Sequence, residues 1–199
     1  MIVVAASAGY LIGSIPTAVW LGRLWGVDLR RAGTGKPGAN NARRLGGYTL
    51  ALLVLVVEMG KGLAAVLVGL ADAGEAGAVA AGLGAVTGNV YNVWYGFKGG
   101  KGLGITGGVL LGLWPAAFPF VVITIALASA LARSTGIGTL VTQGFLVVGA
   151  LAWDRTGLAG PWGVGDYALL LPLVIGLCLI IAPKHWRDAR GRLSSPARS

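Results

Sequence analysis

The fold class is decided by the segment from Tyr48 to Leu70, which reads YTLALLVLVVEMGKGLAAVLVGL. Only Glu58 and Lys61 carry charge in it. As a helix it is long enough to cross the hydrocarbon core of a bilayer, which takes about 20 residues. A surface helix of a soluble domain keeps one polar face, and this segment has none. It therefore predicts a membrane-spanning helix.

The composition of the whole chain agrees with a membrane class. Of the 199 residues, 12% are charged and 55% are hydrophobic, and the mean hydropathy is +0.77. Soluble domains carry roughly a quarter charged residues. The net charge of +9 points to membrane topology and anionic headgroups rather than to nucleic acid. Cys178 is the only cysteine, so the chain has no internal disulfide.

Apolar runs on both sides of this segment predict six further helices. The run over residues 103–131 is too long for one span, and Pro115 and Pro119 divide it into two short helices. The N-terminal run has no basic region before it, so it is expected to stay as a helix rather than to act as a signal peptide. The other predicted helices cover residues 2–24, 76–95, 137–153 and 167–182.

The predicted loops divide the positive charge unequally. With seven helices, one side of the membrane receives all of the 16 Lys and Arg residues except Arg155 and the intrahelical Lys61. Cytoplasmic loops carry such an excess, so the N-terminus is expected outside and the C-terminus in the cytoplasm. Residues 1–193 are expected to form one domain, and residues 194–199 a disordered cytoplasmic tail.

The first basic loop, residues 28–44, mixes glycines with cations and neutral hydrogen-bond donors. Glycines let successive backbone N–H groups converge on one oxyanion, and arginine can grip a phosphate through two parallel hydrogen bonds. A P-loop is excluded because Pro37 stands where that motif has Ser or Thr. The pattern predicts a phosphate site, with a solvated basic loop as the alternative. The candidate ligands are Gly33, Thr34, Gly35, Lys36, Gly38, Asn40, Asn41 and Arg44.

A second glycine-rich segment, residues 88–104, joins the third predicted helix to the fourth. Lys98 and Lys101 alternate there with Gly99, Gly100 and Gly102, just before a helix N-terminus that would attract an anion. No strand precedes it, which excludes a Rossmann site. A tight turn with lysines reaching the membrane surface is an equally weighted interpretation.

Two further groups of charged or titratable residues stand out. His185 and Asp188 follow the last apolar run, where a lone histidine is more often solvated than catalytic. Glu58 and Lys61 are three residues apart and share a helix face. Charges at membrane depth are costly and usually paired. A structural ion pair is therefore the simplest interpretation, with a functional role left open.

Taken in this order, the segments resemble the bacterial acyl-phosphate:glycerol-3-phosphate acyltransferase family (PlsY-like) over nearly the whole chain. The resemblance rests on the sequences Gly13-Ser-Ile-Pro16, Gly33 to Arg44, the acidic-x-x-Lys-Gly pattern at 58–62, Phe97-Lys-Gly-Gly-Lys-Gly102, and His185 to Asp188. Five positions depart from the family pattern. Thr34 replaces serine, Lys36 asparagine, Asn40 threonine, Asn89 histidine and Asp188 asparagine.

The resemblance implies a seven-helix inner-membrane enzyme with its site at the cytoplasmic face. Such enzymes transfer a fatty acyl group from acyl phosphate to the 1-hydroxyl of glycerol 3-phosphate and form lysophosphatidic acid, without metal, cofactor or acyl-enzyme. The two substrates and the bilayer are the expected partners, nucleic acid is not, and a monomer is the simplest expectation. The implied catalytic residues are Thr34, Asn41, Arg44, Asn89, Lys101 and His185. The implied substrate-binding residues are Gly33, Gly35, Lys36, Gly38, Asn40, Lys98, Gly99, Gly100, Gly102 and Asp188.

Two other functions stay open. The five departures would fit a family member that has lost catalysis and binds a phosphorylated lipid or a partner protein. If the family histidine acts as a general base, Asn89 would cost about 10²–10⁴-fold in rate. A mechanism in which a substrate phosphate takes the proton would tolerate it. A small organic-anion transporter is the third hypothesis, although the anion-binding features gather on one face rather than at the midplane.

Overall fold

The computed structural model describes residues 1–156 and 163–193, which are helices and connecting turns without a strand. It divides into two compact units, one from Met1 to Leu113 and one from Trp114 onward. The all-helical membrane fold class is thereby confirmed. The first unit holds α1 (Ile2–Ser14), α2 (Thr17–Leu24), α3 (Ala39–Val90), a 3-10 turn (Val93–Tyr95) and α4 (Leu103–Leu113). The second holds α5 (Ala117–Leu131), α6 (Thr135–Thr156), a 3-10 turn (Tyr167–Leu169) and α7 (Leu170–Leu193).

The count of seven spans is recovered only in part. Predicted helices 48–70 and 76–95 are both in α3, which bends where Ala73 and Gly74 leave helical backbone angles. The two helices predicted within 103–131 are present, but α4 has 11 residues and α5 has 15, below the usual span of about 20. Four helical stretches among the described residues are long and apolar enough to cross a membrane: Ile2–Leu24, Ala39–Tyr95, Thr135–Trp153 and Leu170–Gly191.

The first predicted helix is interrupted at Pro16. Proline lacks the N–H that would continue the helix and pushes the preceding residue out of the helical region; Ile15 accordingly has φ −57° and ψ 122°. The carbonyls freed at the end of α1 are bound by a side chain from α3. Lys61 Nζ donates to the carbonyl oxygen of Ile15 at 2.7 Å and to that of Gly13 at 3.3 Å.

Helix boundaries differ from the predictions at the functional segments. α3 begins at Ala39, so Asn40, Asn41 and Arg44 lie in its first turns rather than in an open loop. α7 continues to Leu193, so His185 is inside a helix. The predicted disordered tail lies outside the described residues, and the single-domain assignment stays a prediction.

Glycines bring α1 and α3 into close contact. A Cβ on Gly13 would collide with the backbone of Ala85, and a Cβ on Gly88 would collide with the backbone of Tyr10. Small residues at helix contacts allow such approach in membrane proteins. Ser14 Oγ also donates to the carbonyl oxygen of Gly88 at 3.3 Å. This packing fixes the C-terminal end of α3, from which the second glycine-rich segment departs.

Candidate functional site

One buried amide organises the first glycine loop, defined here as residues 28–38. The Oδ1 of Asn41 accepts the N–H of Thr34 at 2.8 Å. Its Nδ2 donates to the carbonyl oxygens of Leu29 at 2.9 Å and Ala32 at 3.1 Å. The Asn41 side chain is 2% exposed. Its hydrogen bonds therefore hold the loop closed over the start of α3.

The loop needs glycine on both sides of Thr34. Gly33 has φ +62° and Gly35 has φ +66°, a left-handed region that costs other residues energy. A Cβ on Gly33 would also collide with Asn41 Oδ1. Thr34 is left exposed at the tip, where its Oγ1 accepts the N–H of Lys36 at 3.4 Å.

Asp28 stabilises the beginning of the same loop. Its Oδ1 accepts the backbone N–H of Arg30 at 2.9 Å and that of Arg31 at 3.3 Å. Its Oδ2 lies 3.8 Å from Nε of Arg31. These donors, the N–H of Arg30 first, hold the pKa of the Asp28 carboxyl below its ordinary value.

The second glycine-rich segment forms what we call the lysine turn, residues 92–102, which includes the 3-10 turn at Val93–Tyr95. The N–H of Gly99 donates to the carbonyl oxygen of Val90 at 3.1 Å, and the N–H of Gly100 donates to that of Asn89 at 3.0 Å. Asn92 is buried, and its Nδ2 donates to the carbonyl oxygen of Ser14 at 2.7 Å. The turn is therefore attached to the ends of both α1 and α3.

The first glycine loop and the lysine turn lie side by side in the first unit. The Cζ of Arg30 is 3.6 Å from the centroid of the Tyr95 ring, a cation–π contact. A Cβ on Gly100 would lie 2.8 Å from the carbonyl oxygen of Pro37. The small cleft between them is lined by residues that include Pro16, Pro37, Glu58, Asn89, Gly99 and Gly100.

A buried carboxylate lies at the bottom of this cleft. Oε1 of Glu58 accepts the hydroxyl of Thr17 at 2.7 Å and is 3.1 Å from Nζ of Lys61. Oε2 of Glu58 accepts Nδ2 of Asn89. The predicted ion pair is present. It belongs to a network that joins α2 to the middle of the first arm of α3 and to the last turn of α3.

His185 and Asp188 belong to the second unit and are described with it. His185 is fully buried in α7, in contrast to the solvated side chain expected of a lone histidine near a helix end. A Cβ on Gly136, near the start of α6, would lie 2.7 Å from the carbonyl oxygen of His185 and 3.2 Å from Cβ of Asp188. The two residues therefore share the face of α7 that packs on α6.

The predicted site residues of the first unit fall into three groups by exposure. Those open to solvent at the two segments are Gly33, Thr34, Gly35, Asn40, Arg44 and Lys98. Those partly covered are Lys36, Gly38, Asn89, Gly99 and Lys101, and those buried are Asn41, Gly100 and Gly102. No cluster of three or more metal-ligating His, Cys, Asp or Glu side chains occurs in the part of the chain that the structure describes.

Four residues of the site were not among the predicted site residues. Thr17, Arg30, Asn92 and Tyr95 each make a contact that joins two segments far apart in the chain. Asn92 could have been suspected, because it follows Asn89 by three residues in a stretch otherwise rich in aromatic side chains. The others resemble ordinary residues of a membrane surface.

Comparison with known proteins gives one consistent result. A family model described as glycerol-3-phosphate acyltransferase matches residues 3–194. A glycerol-3-phosphate acyltransferase of Nitrobacter winogradskyi is 46% identical over 191 residues, which cover 94% of this chain and 90% of that protein. One from Synechococcus sp. (strain JA-3-3Ab) is 51% identical over 115 residues, and the match spans only 57% of each chain.

The fold has a counterpart among solved structures. The crystal structure of PlsY (YgiH), an integral membrane glycerol 3-phosphate acyltransferase in its glycerol 3-phosphate form, aligns with a TM-score of 0.73 and 25% identity. The alignment covers 96% of this chain and 93% of that one. Sequence and fold thus point to the same group of proteins.

Proposed function

This chain belongs to the glycerol-3-phosphate acyltransferase family, and we propose that it transfers a fatty acyl group from acyl phosphate to the 1-hydroxyl of glycerol 3-phosphate. The observation that carries the proposal is the pairing of the first glycine loop with the lysine turn across one cleft. Two glycine-rich segments bearing cations side by side suit two phosphorylated substrates that must meet.

The first glycine loop is assigned to the phosphate of the acyl donor. Asn41 keeps the loop folded from within, so it supports the site without touching the ligand. The hydroxyl of Thr34, the side chain of Asn40 and the ammonium of Lys36 are the groups that reach a bound phosphate. The acyl chain would lie between the helices, in contact with lipid.

The lysine turn is assigned to the phosphate of the acceptor. Lys98 and Lys101 flank the two glycines, and Lys101 precedes the N-terminus of α4, where the helix dipole favours an anion. Arg44 is exposed on the first turns of α3 and supplies a further cation. His185 and Asp188 lie in the second unit, and their roles stay predictions from the family resemblance.

The proposed chemistry needs no protein nucleophile. The 1-hydroxyl oxygen attacks the acyl carbon, an ester bond forms, the bond from that carbon to the phosphate oxygen breaks, and inorganic phosphate leaves with the hydroxyl proton. Asn89 is an amide and cannot take this proton, and the oxygens of Glu58 already accept hydrogen bonds. Positioning and stabilisation of the oxyanion by the surrounding cations supply the rate enhancement.

We also assign the site to the cytoplasmic face of a bacterial cell membrane. In this arrangement both arms of α3 cross the bilayer and the short helices α4 and α5 each cross it, which restores seven spans with the N-terminus outside. The support is the concentration of Lys and Arg in the loops on one side. Antibody access to terminal tags in intact and permeabilised cells would test this topology.

The experiment that tests the activity is a direct assay. Purified protein in a lipid mesophase receives palmitoyl phosphate and glycerol 3-phosphate, and phosphate release is followed while mass spectrometry identifies the lipid. We expect lysophosphatidic acid from the wild type, almost none from Lys101→Ala, and wild-type turnover from Arg43→Ala. The side chain of Arg43 is exposed and contacts Tyr48 on its own helix. A folded wild type that releases no phosphate would refute the enzyme and favour a lipid-binding family member.

A further inference from the structure

Asn89 joins the buried acid to the lysine turn. Its side-chain Nδ2 donates to Oε2 of Glu58, while its backbone carbonyl accepts the N–H of Gly100 at 3.0 Å. Its Oδ1 would be 3.2 Å from a Cβ on Gly100, so the amide also packs against the turn. One residue therefore contacts the turn with both its side chain and its backbone.

The other side of the turn meets the first glycine loop. Gly100 is so close to the carbonyl oxygen of Pro37 that a Cβ would be 2.8 Å away. Gly99 packs on the backbone of Asn89 with no room for a methyl group. The separation of the two segments is therefore set by how far Asn89 holds the turn from α3.

Glu58 is suited to position a neighbour rather than to react. Its two oxygens accept from Thr17 of α2, from Lys61 one turn further along α3, and from Asn89 in the last turn of α3. A bare carboxylate lining the cleft would repel phosphate, but the ammonium of Lys61 at 3.1 Å neutralises it. Oε2 of Glu58 still needs a hydrogen-bond donor, and the side-chain amide of Asn89 supplies it.

We infer that Glu58 and Asn89 form a positioning pair that sets the lysine turn against the first glycine loop and so governs the affinity for the phosphorylated acceptor. The inference rests on the proposed function for its substrate but on the structure for its geometry. Neither residue touches a substrate in this assignment. The requirement at position 89 is a hydrogen-bond donor to Glu58, so a group that titrates near neutrality is not needed there.

The test exchanges the carboxylate of residue 58 with the amide of residue 89. Asn89→Asp places a second carboxylate against Glu58 and should raise KM for glycerol 3-phosphate by at least about tenfold, with kcat and KM for palmitoyl phosphate changed less than about threefold. In the double variant Glu58→Gln/Asn89→Asp, the amide of residue 58 can donate to the new carboxylate. Its oxygen still accepts from Thr17 and Lys61, so KM should return to within about threefold of wild type.

A measurement that does not need turnover accompanies the kinetics. Deuterium uptake of residues 97–102 should rise in Asn89→Asp and return in the double variant, because the turn has lost and regained its anchor. Glu75→Gln removes a carboxylate on the other arm of α3 and should leave both readouts at wild-type values. A wild type without product would refute the proposed function alone, since the exchange pattern still tests the pair.

Three outcomes would overturn the inference. The first is an Asn89→Asp variant with unchanged KM and unchanged exchange. The second is a loss confined to kcat, which would indicate a chemical role. The third is a double variant that folds, as judged by its thermal transition, but is no better than the single one in either readout.

Discussion

The Nζ of Lys61 lies 3.1 Å from Oε1 of Glu58, and these side chains are only 8% and 9% exposed. Both charges therefore sit away from water, inside a helix that also faces lipid. Lys61 completes its hydrogen bonding with the carbonyls that Pro16 frees at the end of α1. The pair thus stabilises the break between α1 and α2 as well as the end of α3.

Removing one member of this pair should be more harmful than removing both. Lys61→Met leaves a buried carboxylate without a counter-ion, and we expect a loss of about 3–5 kcal/mol in unfolding free energy. Glu58→Gln/Lys61→Met should recover at least about half of that loss, because no charge remains buried. Urea or SDS unfolding of the purified variants measures both. Equal stability of the single and double variants would contradict the buried-pair interpretation.

The closure of the first glycine loop should depend on Asn41 but not on Asn40. Asn41→Leu removes the partners of one N–H and two carbonyls, for an expected cost of roughly 1–3 kcal/mol. It should also raise KM for palmitoyl phosphate. Asn40→Leu changes an exposed neighbour and should alter the unfolding free energy by less than about 0.5 kcal/mol. Thermal unfolding of the two variants measures both effects. A larger loss of stability in Asn40→Leu than in Asn41→Leu would contradict the assignment.

These two asparagines also mark a limit of prediction from sequence. Both are asparagines and neighbours, and the residue pattern alone placed both in the predicted phosphate site as neutral donors. Which one is buried depends on the point at which α3 begins, and helix starts are uncertain by several residues in a sequence. The glycine spacing did predict the two segments, and the structure places them together.

The ion pair of Glu58 and Lys61 illustrates a second limit of prediction from sequence. Its spacing of three residues was enough to predict the contact between Glu58 and Lys61. Thr17 and Asn89, which complete the network, lie 41 and 31 residues from Glu58 in the chain. Such partners follow from how α1, α2 and α3 pack, which no local pattern encodes. The bend at Ala73 and Gly74, by contrast, falls between the two helices that the apolar runs predicted.

The cation–π contact between Arg30 and Tyr95 should couple the two segments energetically. We expect Tyr95→Leu and Arg30→Gln each to destabilise the protein by about 0.5–2 kcal/mol, with a double-mutant coupling of at least about 0.5 kcal/mol. Glycerol 3-phosphate affinity, measured by calorimetry, should fall in both. Strictly additive effects would mean that the 3.6 Å approach contributes nothing to holding the segments together.

The turn at Asp28 should respond to acid in a defined direction. The N–H groups of Arg30 and Arg31 lower the pKa of the Asp28 carboxyl below its ordinary 3.8. A lowered folded-state pKa means that the ionised carboxyl stabilises the loop fully above about pH 4 and loses this effect as the pH falls through the folded value. Asp28→Asn should therefore be less stable than wild type at pH 7, and the difference should shrink as the pH falls below 3.8. An NMR titration that gives the Asp28 carboxyl a pKa of 3.8 or higher would contradict this prediction.

The contact between Gly100 and Pro37 offers the last test. A methyl group on Gly100 would lie 2.8 Å from the carbonyl oxygen of Pro37, and because that atom is backbone the segments must separate to admit it. Gly100→Ala should therefore raise KM for glycerol 3-phosphate by about tenfold, or about 1.4 kcal/mol. Gly60→Ala is the matched control, since a Cβ there meets no atom within 4 Å. It should leave the kinetics unchanged and add up to about 1 kcal/mol of helix stability. Wild-type kinetics in Gly100→Ala would show that the cleft tolerates a wider separation, and the lysine turn would then bind its phosphate independently of the first glycine loop.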